Sequence, residues 1–244
     1  MRRKAILLGH VDGQLSTNLD LDKVYGYLTS LHGGAWRPGE IVRRVNISRI
    51  QLDELLEDTR GQKFDYVFIY FSGHGGYKRG TVFELNPQEE TISERRLSNL
   101  APRQLNIYDC CRTLPQIQSI KVANSCSMDG LSESYNKARE YFRMIFDDRI
   151  LQAYEQQMSL YSCSIGECSY DFGKGGVYTN HFIESAKISD EVYVLASAVH
   201  SNACSLTINE VLQHGRSQHP DYFMAKLPSR YQLILGLSGR PIGG

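Results

Sequence analysis

Short apolar blocks alternate along the chain with stretches in which apolar residues recur every three or four positions. Residues 5–8 (AILL) form a continuous apolar block and predict a short buried strand. A polar loop follows over 9–18. Leu21, Val24, Tyr25, Leu28 and Leu31 then recur at helical spacing, and His-Gly-Gly at 32–34 predicts the stop. Residues 41–45 predict a second strand. Ser48 with Gln51 three positions on is a capping-box signature, and Ile50, Leu52, Leu55 and Leu56 place a helix after it. Residues 66–71 (YVFIYF) are the strongest strand signal. Their near-continuous apolarity predicts a central parallel strand covered on both faces.

Further along, 81–85 (TVFEL) predicts one arm of a small hairpin and 93–100 a short helix. Residues 104–109 (QLNIYD) predict a strand, 113–131 a polar, exposed linker, and 133–157 a long amphipathic helix. Residues 160–164 read as a strand, 171–176 (DFGKGG) as a Gly-rich loop, and Thr179 as the start of another helix. Residues 188–204 fit helix and strand equally. Thr207 with Glu210 repeats the capping-box signature, Gly215 predicts that helix's end, and 231–237 (YQLILGL) a last strand. Strands alternating with helices predict an α/β fold, a single domain over 1–244 with helices on both faces of a mostly parallel sheet. In such folds reactive groups gather beyond the carboxyl ends of the strands.

Composition adds limits. Lys plus Arg is 27 and Asp plus Glu is 27, so no global field argues for nucleic acid or an anionic membrane. No apolar run is long enough to span a bilayer, and the block at 5–8 is too short for a signal peptide. A cytoplasmic protein with its six cysteines as thiols is expected. Cys126, Cys163, Cys168 and Cys204 show no zinc-ligand spacing, so no metal site is expected, and Cys163 and Cys204 read as core residues.

Two strand ends carry chemistry. His74 lies just past the strand at 66–71, within SGHGG, and Cys110 and Cys111 lie just past the strand at 104–109. If the strands are neighbours, an imidazole and a thiol meet at one sheet edge. The imidazole can take the thiol's proton and so make the nucleophile. Gly75 and Gly76 let the backbone approach a ligand closely. The competing reading is that Cys110 and Cys111 are plain core residues. A phosphate loop is excluded, because the spaced Gly-Lys-Ser/Thr is missing.

FIYFSGHGG, followed by DCCR with Cys111 37 positions after His74, resembles the caspase and metacaspase superfamily of cysteine peptidases. IYDCCRT is closer to the D-x-C-[HR] pattern of metacaspases and paracaspases than to the caspase signature. AILLGH is similar to the family's first strand and LDLDKVYGYL (19–28) to its first helix. GGVYTNHFIESA (175–186) is similar to a late helix of bacterial members, which suggests a prokaryotic protein. The resemblance implies a caspase-like three-layer α/β/α sandwich. It also implies peptide-bond hydrolysis with His74 as general base and acid, Cys111 as nucleophile, and the N–H groups of Gly75 and Cys111 as the oxyanion hole. Asp109 would line the S1 pocket and face a substrate Arg or Lys, with Asp20 as a second acidic position and Asp22 as a fallback. Asp20 reads equally well as a helix N-terminal carboxylate. Where metacaspases supply another S1 aspartate the chain has Ile165 and Gly166, so Glu167 or Asp171 would substitute.

No cofactor is implied. Calcium, which some metacaspases need, is left open, since no EF-hand pattern is present. The expected partners are a protein or peptide substrate and an activating or inhibitory protein. Such enzymes serve signalling, cell death or antiviral defence. Lys121, in the linker, is a candidate self-cleavage site. Two other classes stand beside this reading: a non-catalytic adaptor of the same fold, and a thiol hydrolase of small amides or esters.

Overall fold

A computed structural model describes residues 1–12, 16–114 and 133–238. Its main sheet has six strands: β1 (Arg3–Gly9), β2 (Ile41–Val45), β3 (Tyr66–Ser72), β7 (Arg103–Asp109), β8 (Gln156–Tyr161) and β10 (Asp221–Phe223). Their order is β10-β8-β7-β3-β1-β2, and all pairs are parallel except β10 with β8. A three-stranded antiparallel sheet, β4 (Gly75–Tyr77), β5 (Thr81–Glu84) and β6 (Thr91–Ser93), grows from the end of β3.

The strongest strand signal falls on a central strand. Side chains of β3 divide by parity, as a pleated strand requires. Tyr66, Phe68 and Tyr70 join a core on one face with Leu21, Val24 and Leu28 of α1 (Ser16–Thr29). Phe146 of α3 (Glu133–Gln152), Phe182 of α4 (Val177–Lys187) and Val199 of α5 (Ala196–Gln213) complete that layer. Val67, Ile69 and Phe71 face the other core, with Leu52 and Leu56 of α2 (Arg49–Gly61) and Phe83 and Ile92 of the small sheet. Helices on both faces of the sheet make an α/β/α sandwich.

The cap of α2 forms as its sequence predicts. Ser48 Oγ accepts the Gln51 N–H at 3.3 Å, and the Gln51 side chain accepts the Ser48 N–H at 3.2 Å. Three expectations are corrected. Thr207 is no cap: α5 begins at Ala196, and Thr207 is buried mid-helix. The segment at 93–100 gives only a 3-10 turn, Glu94–Leu97, because Thr91–Ser93 is claimed by pairing with β5. The helix expected over 133–157 ends at Gln152, and its polar tail starts β8, where Ser159 Oγ accepts from the Asn106 amide. The last strand expected within 231–237 forms as β11 (Ile234–Leu237), which pairs antiparallel with β9 (Tyr193–Leu195) outside the main sheet. Lys121, Cys126 and most of the expected linker lie outside the described residues.

Candidate active site

β3 and β7 are parallel neighbours in a register that sets Ser72 opposite Asp109. The chain then turns at Gly73, whose φ of +148° suits glycine, and whose N–H donates to Asp109 O at 3.2 Å. His74 follows. Beyond it β4 runs alongside residues 110–113: the Tyr77 N–H donates to Thr113 O at 2.8 Å. A Cβ on Gly75 would come within 2.8 Å of Cys110 Sγ and 2.9 Å of Cys111 O. Imidazole and thiol are therefore carried on adjoining strand-end segments.

The two cysteines differ by parity. Cys110 continues the side of Tyr108 into the core under the small sheet and is 2% exposed. Cys111 falls on the other side and is half-buried. Its Sγ makes a weak bond, 3.9 Å to Ser169 O, and the Cys168 thiol is in contact with it. Burial, and after it Cys168, pushes the Cys111 thiol up to about 12. The resting thiol is thus protonated at neutral pH and needs a base to become a nucleophile. Arg112 anchors the next residue: Nη1 donates to Cys163 O (3.1 Å) and Asp221 (3.0 Å), Nε donates to Thr81 Oγ1 (3.2 Å), and the guanidinium lies 3.9 Å from the Tyr161 ring centre.

Asp109 continues the face of Leu105 and Ile107, and there it meets Asp20 of α1. Asp20 accepts the Ser72 hydroxyl at 2.8 Å and the Gly176 N–H at 2.9 Å. Asp109 accepts the Ser169 hydroxyl (2.5 Å), the Thr179 hydroxyl (2.6 Å) and the Thr179 N–H (3.2 Å). Both are buried, 2% and 5% exposed. Burial and then the charge of Asp109 hold the Asp20 carboxyl well above the usual range. Burial also raises Asp109, against the pull of its hydroxyl partners. Among the described residues no Lys, Arg or His forms an ion pair with either. The loop over 171–176 roofs the pair. A Cβ on Gly175 would overlap Asp20 Oδ1, and one on Gly176 would overlap Asp109 Oδ2.

The sequence pattern of the peptidase C14 caspase domain matches residues 2–230. The chain belongs to this caspase-domain family of cysteine peptidases. In structure it is similar to caspase-1 from Spodoptera frugiperda, with a TM-score of 0.61 and 12% identity, over 98% of this chain and 91% of that one. At that identity the likeness concerns the caspase fold. No curated protein sequence matches the chain.

Of the S1 residues expected in a metacaspase-like member, Asp20 and Asp109 come together. Asp20 also sits past the first turn of α1, which starts at Ser16, so its neighbours are Ser72 and Gly176 rather than the helix terminus. The other carboxylates are engaged elsewhere. Glu167 pairs with His219 (2.6 Å to Nδ1, 2.7 Å to N), Asp171 accepts the N–H groups of Gly173 and Lys174, and Asp22 pairs with Arg43 on the surface. Cys163 is a core residue, while Cys204 is half-buried and bonded to His200 at 3.3 Å. Sequence reasoning missed Ser72, Ser169 and the roofing glycines as partners of the carboxylates. It also missed His10, whose ring stands edge-on to His74 at 5.0 Å. Among the described residues no helix is long and apolar enough to cross a membrane.

Proposed function

We propose that this protein is a cysteine endopeptidase that cleaves a protein partner after Arg or Lys, through His74 and Cys111. His74 takes the proton of Cys111, and the thiolate attacks the scissile carbonyl carbon. The N–H groups of Gly75 and Cys111 hold the oxyanion. His74 returns the proton to the leaving amine, and water, deprotonated by His74, hydrolyses the thioester.

The observation that carries the basic specificity is the buried Asp20–Asp109 pair, which among the described residues has no ion-pair partner; the nearby Lys23 ammonium, which eases the Asp20 charge, is bonded instead to Lys174 O and the Asn180 side chain. Two carboxylates with raised proton affinity are costly to ionise, and a substrate guanidinium can satisfy both by bidentate hydrogen bonds. Because Gly175 and Gly176 lie against the carboxylates, that cation enters by shifting the 171–176 loop. Family membership supports the reaction class. A role in signalling, cell death or antiviral defence rests on analogy with relatives.

A peptidyl chloromethylketone with Arg at P1 tests this reading by mass spectrometry. The expected result is one adduct, on Cys111, blocked by His74→Ala and much slower with Asp at P1. Equal labelling by an Asp analogue contradicts the specificity. Labelling of Cys111 by small acyl reagents alone supports a small-substrate hydrolase, and no labelling an adaptor.

A further inference from the structure

His10 is the strangest side chain near the site. It follows β1, is 2% exposed, and among the described residues neither ring nitrogen has a hydrogen-bond partner. A buried polar group left so is costly and calls for an explanation. The fold holds it firmly. Its N–H donates to Ser72 O at 3.0 Å, its carbonyl accepts the Thr17 hydroxyl at 3.1 Å, and a Cβ on Gly73 would come within 2.7 Å of its own Cβ. The ring is thereby aimed at His74, edge-on with centres 5.0 Å apart. At that spacing facing ring nitrogens come within hydrogen-bond reach after a small rotation. On the same side stands Glu84 of β5, with Oε1 3.8 Å from His10 Nδ1 and its N–H donating to His74 O at 3.1 Å.

We propose that His10, backed by Glu84, is a positioning residue for His74: it orients that imidazole and stabilises its protonated form when the Cys111 proton arrives. This rests on the His74–Cys111 reading above. Burial, and then the proximity of His74, hold His10 down at about 4, so it is neutral at pH 7. A neutral imidazole has one donor and one acceptor nitrogen. The acceptor can take the N–H of protonated His74, and the donor faces the Glu84 carboxylate. The other charged groups here are Asp12, near both His10 and Glu84, and Glu89, near Glu84. All are acidic, so each favours positive charge on His74.

The proton balance is simple. The proton leaves Cys111 Sγ for His74, and in the test the thiolate displaces iodide from iodoacetamide, forming an S–C bond as C–I breaks. The experiment follows alkylation of Cys111 against pH by peptide mass spectrometry, in wild type, His74→Ala, His10→Phe, His10→Gln and Glu84→Gln. It needs no knowledge of the peptide substrate. His10→Phe keeps the ring volume, and Glu84→Gln, at a partly exposed site, leaves the packing intact if His10→Phe does not fold. The expected result is slowing by about fivefold near pH 7 in His10→Phe and Glu84→Gln, as for loss of one charge-assisted contact, with His10→Gln in between. Wild-type rates in His10→Phe and Glu84→Gln, with His74→Ala slowed, overturn this inference and leave the dyad standing. A His74→Ala rate equal to wild type overturns both.

Discussion

Asp20 and Asp109 reach one buried site from α1 and β7, and neighbouring glycines roof them. The Gly176 N–H donates to Asp20 at 2.9 Å, while the Gly176 Cα has no room for a Cβ beside Asp109. The pair is held by hydroxyls and backbone, a geometry that keeps two carboxyl groups together in one buried site.

The raised proton affinity of Asp20 makes stability depend on pH. Its folded-state pKa lies above the unfolded value of about 3.9, so across that window the folded chain holds a proton that the unfolded chain has lost. The contribution of Asp20 to stability therefore falls as pH rises from about 4. Asp20→Asn keeps an acceptor for Gly176 and removes the titration. Its Tm relative to wild type should climb as pH rises above about 4 in thermal melts. A difference independent of pH contradicts the buried, raised carboxyl.

The same linkage governs ligands. The proposed specificity predicts that a guanidinium ligand such as agmatine binds the ionised pair, releases a proton on binding and binds tighter as pH rises. Calorimetry in buffers of different ionisation enthalpy reads this directly. Asp109→Asn should weaken agmatine by about tenfold to a hundredfold, the loss of a charge-assisted bidentate contact.

Gly173 and Gly176 should respond differently to alanine. Gly173 has φ +83° and open space around a Cβ, so Gly173→Ala should cost about 1 kcal/mol of backbone strain. At Gly176 a Cβ overlaps Asp109, and Gly176→Ala should cost about 2–3 kcal/mol, relieved in part by Asp109→Ala. Denaturant unfolding of the single and double variants measures both.

Cys168 should tune Cys111, the proposed nucleophile. After burial it is the largest influence raising the Cys111 thiol, both by its charge when ionised and by its side-chain contact. Cys168→Ala should speed alkylation of Cys111 about threefold at pH 8, because a less disfavoured thiolate is more populated. An unchanged rate contradicts that contact.

Much of this site was legible in the sequence, where one residue type could do one job. The apolar block at 66–71 ending in Ser-Gly-His and the strand at 104–109 ending in Asp-Cys-Cys set His74 and the cysteines at strand ends. Which of Cys110 and Cys111 enters the core followed once the faces of β7 were known, with Tyr108 and Cys110 packed in the core under the small sheet. Asp20 and Asp109 were expected in one pocket only through the resemblance, while their partners Ser72, Ser169 and the roofing glycines come from distant segments and gave no signal. Thr207 misled because Thr-x-x-Glu also occurs inside helices, and α5 carries many small and polar residues on its way there. His10 gave no signal, since a histidine after a strand reads as loop until Gly73 and Glu84 close around it.

The most direct measurement is hydrolysis of a fluorogenic peptide panel varying P1, with wild type, Cys110→Ala, Cys111→Ala and His74→Ala. The account predicts turnover after Arg or Lys, loss of at least about a thousandfold in Cys111→Ala and His74→Ala, and retained turnover in Cys110→Ala. Preference for Asp or an apolar residue at P1, or activity surviving in Cys111→Ala, would contradict it.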